Sequence, residues 1–145
     1  MTIDLINDIL SDLWSYDLVL IGVLLSLFVL FYSFIPAKRD ELRELSSEIK
    51  SSGTTDNPTL KLREQHASVY IRNMQRINKR CVWLLLSATI HMVLCWVTHR
   101  VIPNNYYQLK TALFYVAIGT ALAITLLLII HIILIYKQYK TYTKI

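Results

Sequence analysis

Three stretches of this chain, residues 18–37, 81–99 and 111–136, contain no Asp, Glu, Lys or Arg and are strongly apolar. A bilayer core roughly 30 Å thick is crossed by about 20 apolar residues of helix. Lipid admits only helices or closed barrels, because every backbone polar group must be satisfied internally. The pattern predicts an all-α integral membrane protein with three transmembrane helices. At 145 residues, little chain remains for a soluble enzyme domain.

Charge placement sets the expected orientation. Residues 1–17 carry Asp4, Asp8, Asp12 and Asp17 and no basic side chain, whereas 38–80 carries ten Lys or Arg. Lys137, Lys140 and Lys144 follow the third stretch; only Arg100 and Lys110 flank the short connection between the second and third. Basic residues accumulate on the cytosolic side of membranes. This predicts an exterior or lumenal leader (1–17), transmembrane helix 1 (18–36), a cytosolic segment (37–80) and transmembrane helix 2 (81–99). A lumenal turn (100–110), transmembrane helix 3 (111–136) and a cytosolic tail (137–145) complete the order. The acidic leader lacks the basic n-region of a cleaved signal peptide, so the first span reads as a signal anchor.

Residues 3–14 read as a short amphipathic helix, with Ile6, Ile9, Leu10 and Leu13 on one face and Asp4, Asp8 and Asp12 on another. Like charges at i, i+4 oppose an isolated helix, so this segment is expected on the membrane surface or against a partner. Span one is expected to end at Pro36, and Gly22 with Ser26 offers a small-xxx-small approach site. In the cytosolic segment, Leu42, Leu45 and Ile49 repeat at 3–4 spacing, residues 51–58 (SSGTTDNP) break the pattern, and Tyr70, Met74, Ile77, Cys81 and Leu84 resume it. That is the signature of two antiparallel helices joined by a turn, a small coiled-coil hairpin. Its length is marginal for an isolated coiled coil, which implies a stabilising partner. Cys81 and Cys95 lie roughly 21 Å apart by helical rise and cannot form a disulfide. The Asn57-Pro58-Thr59 triplet is no glycosylation acceptor because Pro occupies its middle.

Ser87, His91, Cys95 and Thr98 step by 4, 4 and 3 and predict a polar face on span two, lining a groove, a pore or a helix interface. His91, Cys95 and His99 are residue types that bind zinc. His99, however, lies about 12 Å from His91 by helical rise, too far to share an ion. His131 lies near the cytosolic end of span three, whereas His91 lies near mid-membrane, which argues against a bis-His haem. No metal or other cofactor is expected. No acidic residue falls within the spans as drawn, so a titratable intramembrane carboxylate and an acid for a catalytic triad at His91 are both expected to be missing. Catalysis is not expected. The basic residues of the second arm suit either anionic lipid or an acidic protein partner; no nucleic acid is implied.

The run Tyr70-Ile71-Arg72-Asn73-Met74-Gln75-Arg76-Ile77-Asn78-Lys79, set in this topology, resembles the second coiled-coil arm of the guided-entry membrane receptor subunit. This is the tryptophan-rich basic protein family, related to the YidC/Oxa insertases. Gln65-His66-Ala67-Ser68 stands where that family carries an acidic-aromatic run, and Gln75 where it carries a basic residue. The resemblance implies a non-catalytic receptor and insertase subunit for tail-anchored proteins in the endoplasmic reticulum. Its partners would be a dimeric cytosolic targeting ATPase and a second membrane receptor subunit. Tyr70, Arg72, Arg76, Lys79, Lys61 and Arg63 would contact the ATPase. Residues alone leave open a homo-oligomeric pore or pore regulator, or an assembly scaffold.

Overall fold

The chain is described from a computed structural model, in which residues 2–51 and 58–142 are described. Three long helices account for nearly all of them: α1 (Ile3–Ser51), α2 (Pro58–Trp96) and α3 (Tyr107–Tyr142), with a π-helical turn at Val97–Val101 extending α2. Residues 52–57 of the expected breaker (51–58), which include Asn57 of the glycosylation triplet, and Lys144 lie outside the described residues. Each helix contains a segment long and apolar enough to cross a membrane.

Two boundaries differ from the sequence reading. The leader is not a separate surface helix, because α1 runs without interruption from Ile3. Nor does Pro36 end a helix; it lies inside α1. A proline removes one backbone donor and crowds the preceding turn, yet it does not dictate termination when the flanking residues favour helix. Ala37 and the charged DELREL run that follows are good helix formers. Pro58, by contrast, opens α2 at a first-turn position where its missing N–H costs nothing.

The chain divides into two compact units, residues 1–25 with 82–145 and residues 26–81. In the first unit, the buried positions of all three helices recur at spacings of three and four. They are Ile6, Leu10, Asp17, Leu20 and Leu24 on α1; Leu84, Ala88, His91, Cys95 and Thr98 along α2 and its π-helical turn; and Lys110, Phe114, Ala117, Ala121, Ile124 and His131 on α3. Such a seam suits knobs-into-holes packing. Ile6 and Leu10 pack with Cys95, Phe114 and Ala117, and Leu20 and Leu24 with Leu84, Ala88 and Ile124. The leader's apolar face is thus covered by the chain's own α2 and α3. The outward faces are apolar: Val19, Ile90 and Leu122 are 68%, 70% and 67% exposed. Gly22 is exposed with open space where a Cβ would stand, so it makes no close helix approach within the chain.

The second unit has a thinner seam. Phe31, Ile35 and Leu45 on α1 and Ala67, Met74, Ile77 and Cys81 on α2 are buried. Between them, the Lys38 ammonium lies 5.7 Å from the centre of the Tyr70 ring and pairs with Glu41. The 3–4 repeat expected from Leu42 onward therefore begins earlier, at Phe31.

Candidate functional site

The buried polar group of the first unit is built by three helices. Asp17 occupies the position on α1 where the stripe Ile6, Leu10, Leu20 and Leu24 calls for an apolar residue, and it is 1% exposed. A carboxylate there is desolvated and requires a partner. His91 supplies one: its Nδ1 lies 2.7 Å from Asp17 Oδ2. Its Nε2 lies 2.9 Å from the main-chain oxygen of Ala117 on α3 and 3.6 Å from Cys95 Sγ, one helical turn along α2. Neutral imidazole carries a single N–H. With Nε2–H donating to the carbonyl, one proton is shared between His91 Nδ1 and Asp17 Oδ2. Asp17 Oδ1 has no hydrogen-bond partner among the described residues.

This pair overturns the expectation that no acid of this chain can reach His91. By sequence Asp17 is the last residue of the leader, because it borders an apolar run. Packing sets it beside His91 and Ala117, both well inside the apolar stretches of α2 and α3. A sequence signal existed: Asp4, Asp8 and Asp12 lie off the buried stripe of α1, whereas Asp17 lies on it. What periodicity could not name was the partner helix.

The expected polar face of span two is partly regrouped. His91, Cys95 and Thr98 are buried at the helix seam. Thr98 hydroxyl donates to Leu94 O at 2.7 Å on its own helix. Ser87 is off the seam, where Ala88 takes the buried position, and its hydroxyl donates to Trp83 O at 2.9 Å. A side-chain hydroxyl satisfied by its own helix can sit in an apolar setting at low cost. The stripe is thus an interface rather than an open groove or pore lining within this chain.

Beyond Trp96 the helix widens into the π turn, closed by Ile102 N donating to Val97 O at 3.2 Å. Such turns often accompany functional sites. Here the turn carries His99 and Arg100, which, with Leu10, Ser11, Trp14, Cys95 and Trp96, line a cleft of about 140 Å³. The cleft reaches Cys95, the edge of the buried group. Lys110 closes the following connection, its ammonium donating to Asn104 Oδ1 at 2.9 Å and lying 3.5 Å from Ile102 O.

Asp17, His91 and Cys95 each present a potential ligand atom, all within 4.8 Å of one another and all buried. His99, the third member of the sequence-level trio, is outside this group and half-buried at the cleft.

In the second unit, Lys61, Arg63, Arg72, Arg76 and Lys79 are exposed. Tyr70 is half-buried beneath Lys38. The basic residues of the second arm thus form an outward array, while Tyr70 serves the contact between the arms. No family model matches this chain, and neither a curated protein nor a solved structure is found to be similar to it.

Proposed function

We propose that this is a multi-pass membrane protein with an exterior or lumenal N-terminus, a cytosolic C-terminus and a cytosolic coiled-coil docking arm. Residues 37–80 would form that arm, and its task would be non-catalytic. It would receive a dimeric targeting ATPase and, with a second membrane subunit, help insert tail-anchored proteins, most simply at the endoplasmic reticulum. The observation carrying this reading is the division of labour in the second unit. Ala67, Met74 and Ile77 turn inward while Lys61, Arg63, Arg72, Arg76 and Lys79 remain exposed. Exposed cations on a narrow two-helix scaffold favour an acidic partner surface, where charge complementarity raises encounter rate and selects the partner.

Membrane insertion draws support from the outward apolar faces. Side chains such as Ile90 and Leu122 gain nothing from water, and large exposed apolar surfaces mark contact with lipid or protein. Because His91, Cys95 and Thr98 are buried, a client's polar end would not pass along that stripe. The second membrane subunit would supply the polar half of the path. A pore lined by the same stripe loses its lining for the same reason.

The test is a pull-down of the full-length protein in mild detergent, comparing wild type with an Arg72→Glu, Arg76→Glu double variant. Capture of a cytosolic ATPase by wild type and its loss in the double variant supports the proposal. Equal capture by both, or a ring of identical subunits with no ATPase, rejects it.

A further inference from the structure

We infer that Asp17, His91 and Cys95 form a binding site for one divalent transition-metal ion of the zinc class. Carboxylate, imidazole and thiolate are together the donor set that such ions select. Three features of the buried group favour an ion over a purely structural contact. First, the donor atoms already lie within 4.8 Å of one another. Tetrahedral zinc places its ligand atoms roughly 3.3–3.8 Å apart, given metal–ligand bonds of about 2.0–2.3 Å, so modest side-chain rotations close the site.

Second, the His91 ring is held as a ligand requires. A metal-binding histidine commonly gives its other N–H to a carbonyl or carboxylate, which fixes ring orientation and tautomer. Here Nε2 has the Ala117 carbonyl at 2.9 Å, leaving Nδ1 to face Asp17 Oδ2 at 2.7 Å; Cys95 Sγ, 3.6 Å from Nε2, must turn toward Nδ1 to complete the set. A lone pair facing a carboxylate oxygen needs a cation between them, either a proton or a metal ion. Third, Asp17 Oδ1 is buried without a hydrogen-bond partner among the described residues, so the carboxylate has acceptor capacity that the protein leaves unused.

Charge balance permits the exchange in a low-dielectric setting. Before binding, Asp17 and His91 share one proton and, with the neutral thiol, sum to zero. As the ion enters, that shared proton and the Cys95 thiol proton leave. The dication, the carboxylate, the thiolate and the neutral imidazole again sum to zero. The cleft, which Cys95 lines and Asp17 and His91 do not, offers an entry route on the thiol side of the site.

The experiment uses the full-length protein in detergent, stripped with chelator and titrated with Co²⁺ as an optical probe and with Zn²⁺ followed by elemental analysis after dialysis. One ion per chain is expected, with a thiolate-to-cobalt charge-transfer band. Cys95→Ser should abolish the band, while Cys81→Ser should leave it unchanged. Asp17→Asn removes a direct ligand and should weaken binding by more than the roughly 10–100-fold typical of an outer-shell change, with circular dichroism confirming retained helix. Failure of the wild-type protein to hold a stoichiometric ion overturns the inference and leaves Asp17–His91 a structural pair. A band that survives Cys95→Ser or disappears in Cys81→Ser overturns it equally. If the Asp17 or Cys95 variants do not fold, the wild-type stoichiometry and the Cys81→Ser spectrum still decide.

Discussion

The two units solve the same packing problem with opposite uses of charge. In the unit built from residues 1–25 and 82–145, the exterior is apolar and the seam holds Asp17, His91 and Thr98. In the unit of residues 26–81, the seam is mostly apolar and the exterior carries cations from Lys38 onward, while Val29, Leu30, Tyr32 and Phe34 keep the start of the unit apolar outside. One helix, α1, serves both units with the same three-four spacing. Helical periodicity therefore fixes which side chains turn inward, and the surroundings of each unit decide whether inward means apolar or polar. Where the outside is lipid, helices gain little from burying more hydrocarbon, and packing and polar contacts specify the association. Where the outside is water, apolar burial drives the pairing.

The contrast breaks most readily at the buried pair. Asp17→Ala or His91→Ala leaves one buried group without its counterpart and should cost about 3–5 kcal/mol. Unfolding in mixed detergent, followed by far-UV circular dichroism, measures it. A cost below about 1 kcal/mol would show that the pair does not hold the first unit together. In the second unit, Met74→Ala should cost about 2–3 kcal/mol through lost burial and a residual cavity. Protease susceptibility of residues 26–81 should rise, and that of 111–136 should not. Leu24→Ala in the first unit should cost less, about 1–2 kcal/mol, because the packing and cavity loss remains while the transfer from water does not. A larger effect at Leu24 than at Met74 would reverse the proposed roles of lipid and water.

Smaller effects refine the comparison. Tyr16 and Thr125 share a hydrogen bond of 2.9 Å between α1 and α3. Tyr16→Phe should cost about 0.6 kcal/mol, the typical value for an interhelical hydrogen bond in a membrane protein. Arg72→Glu with Arg76→Glu should change stability by no more than about 0.5 kcal/mol, since both side chains are exposed. A large destabilisation there would mean that the basic array supports the fold.

Much of this architecture was legible before any coordinates. Uncharged runs mark the three long helices, and of the repeat Leu42, Leu45, Ile49, Tyr70, Met74 and Ile77, the second unit buries Leu45, Met74 and Ile77. The leader was misread because like charges at Asp4, Asp8 and Asp12 suggested an isolated segment. Ile6 and Leu10 instead gain their burial from α2 and α3, contacts remote in sequence. Pro36, where the first span is expected to end, lies inside α1, whose helix its neighbours sustain on both sides. The candidate metal trio named His91 and Cys95 but put His99 where Asp17 belongs, because spacing along one helix says nothing of what a second helix brings.

The amino-acid order alone determined that the chain is helical, how often it is apolar enough to cross a bilayer, and where its cations gather. These depend on local composition and on a period of 3.6 residues, which need no neighbour. Tertiary packing decided that Asp17 meets His91 and the Ala117 carbonyl, that the polar stripe closes into an interface, and that Tyr70 turns toward Lys38. Those outcomes depend on rotation and register between helices, which periodicity within a single helix leaves free.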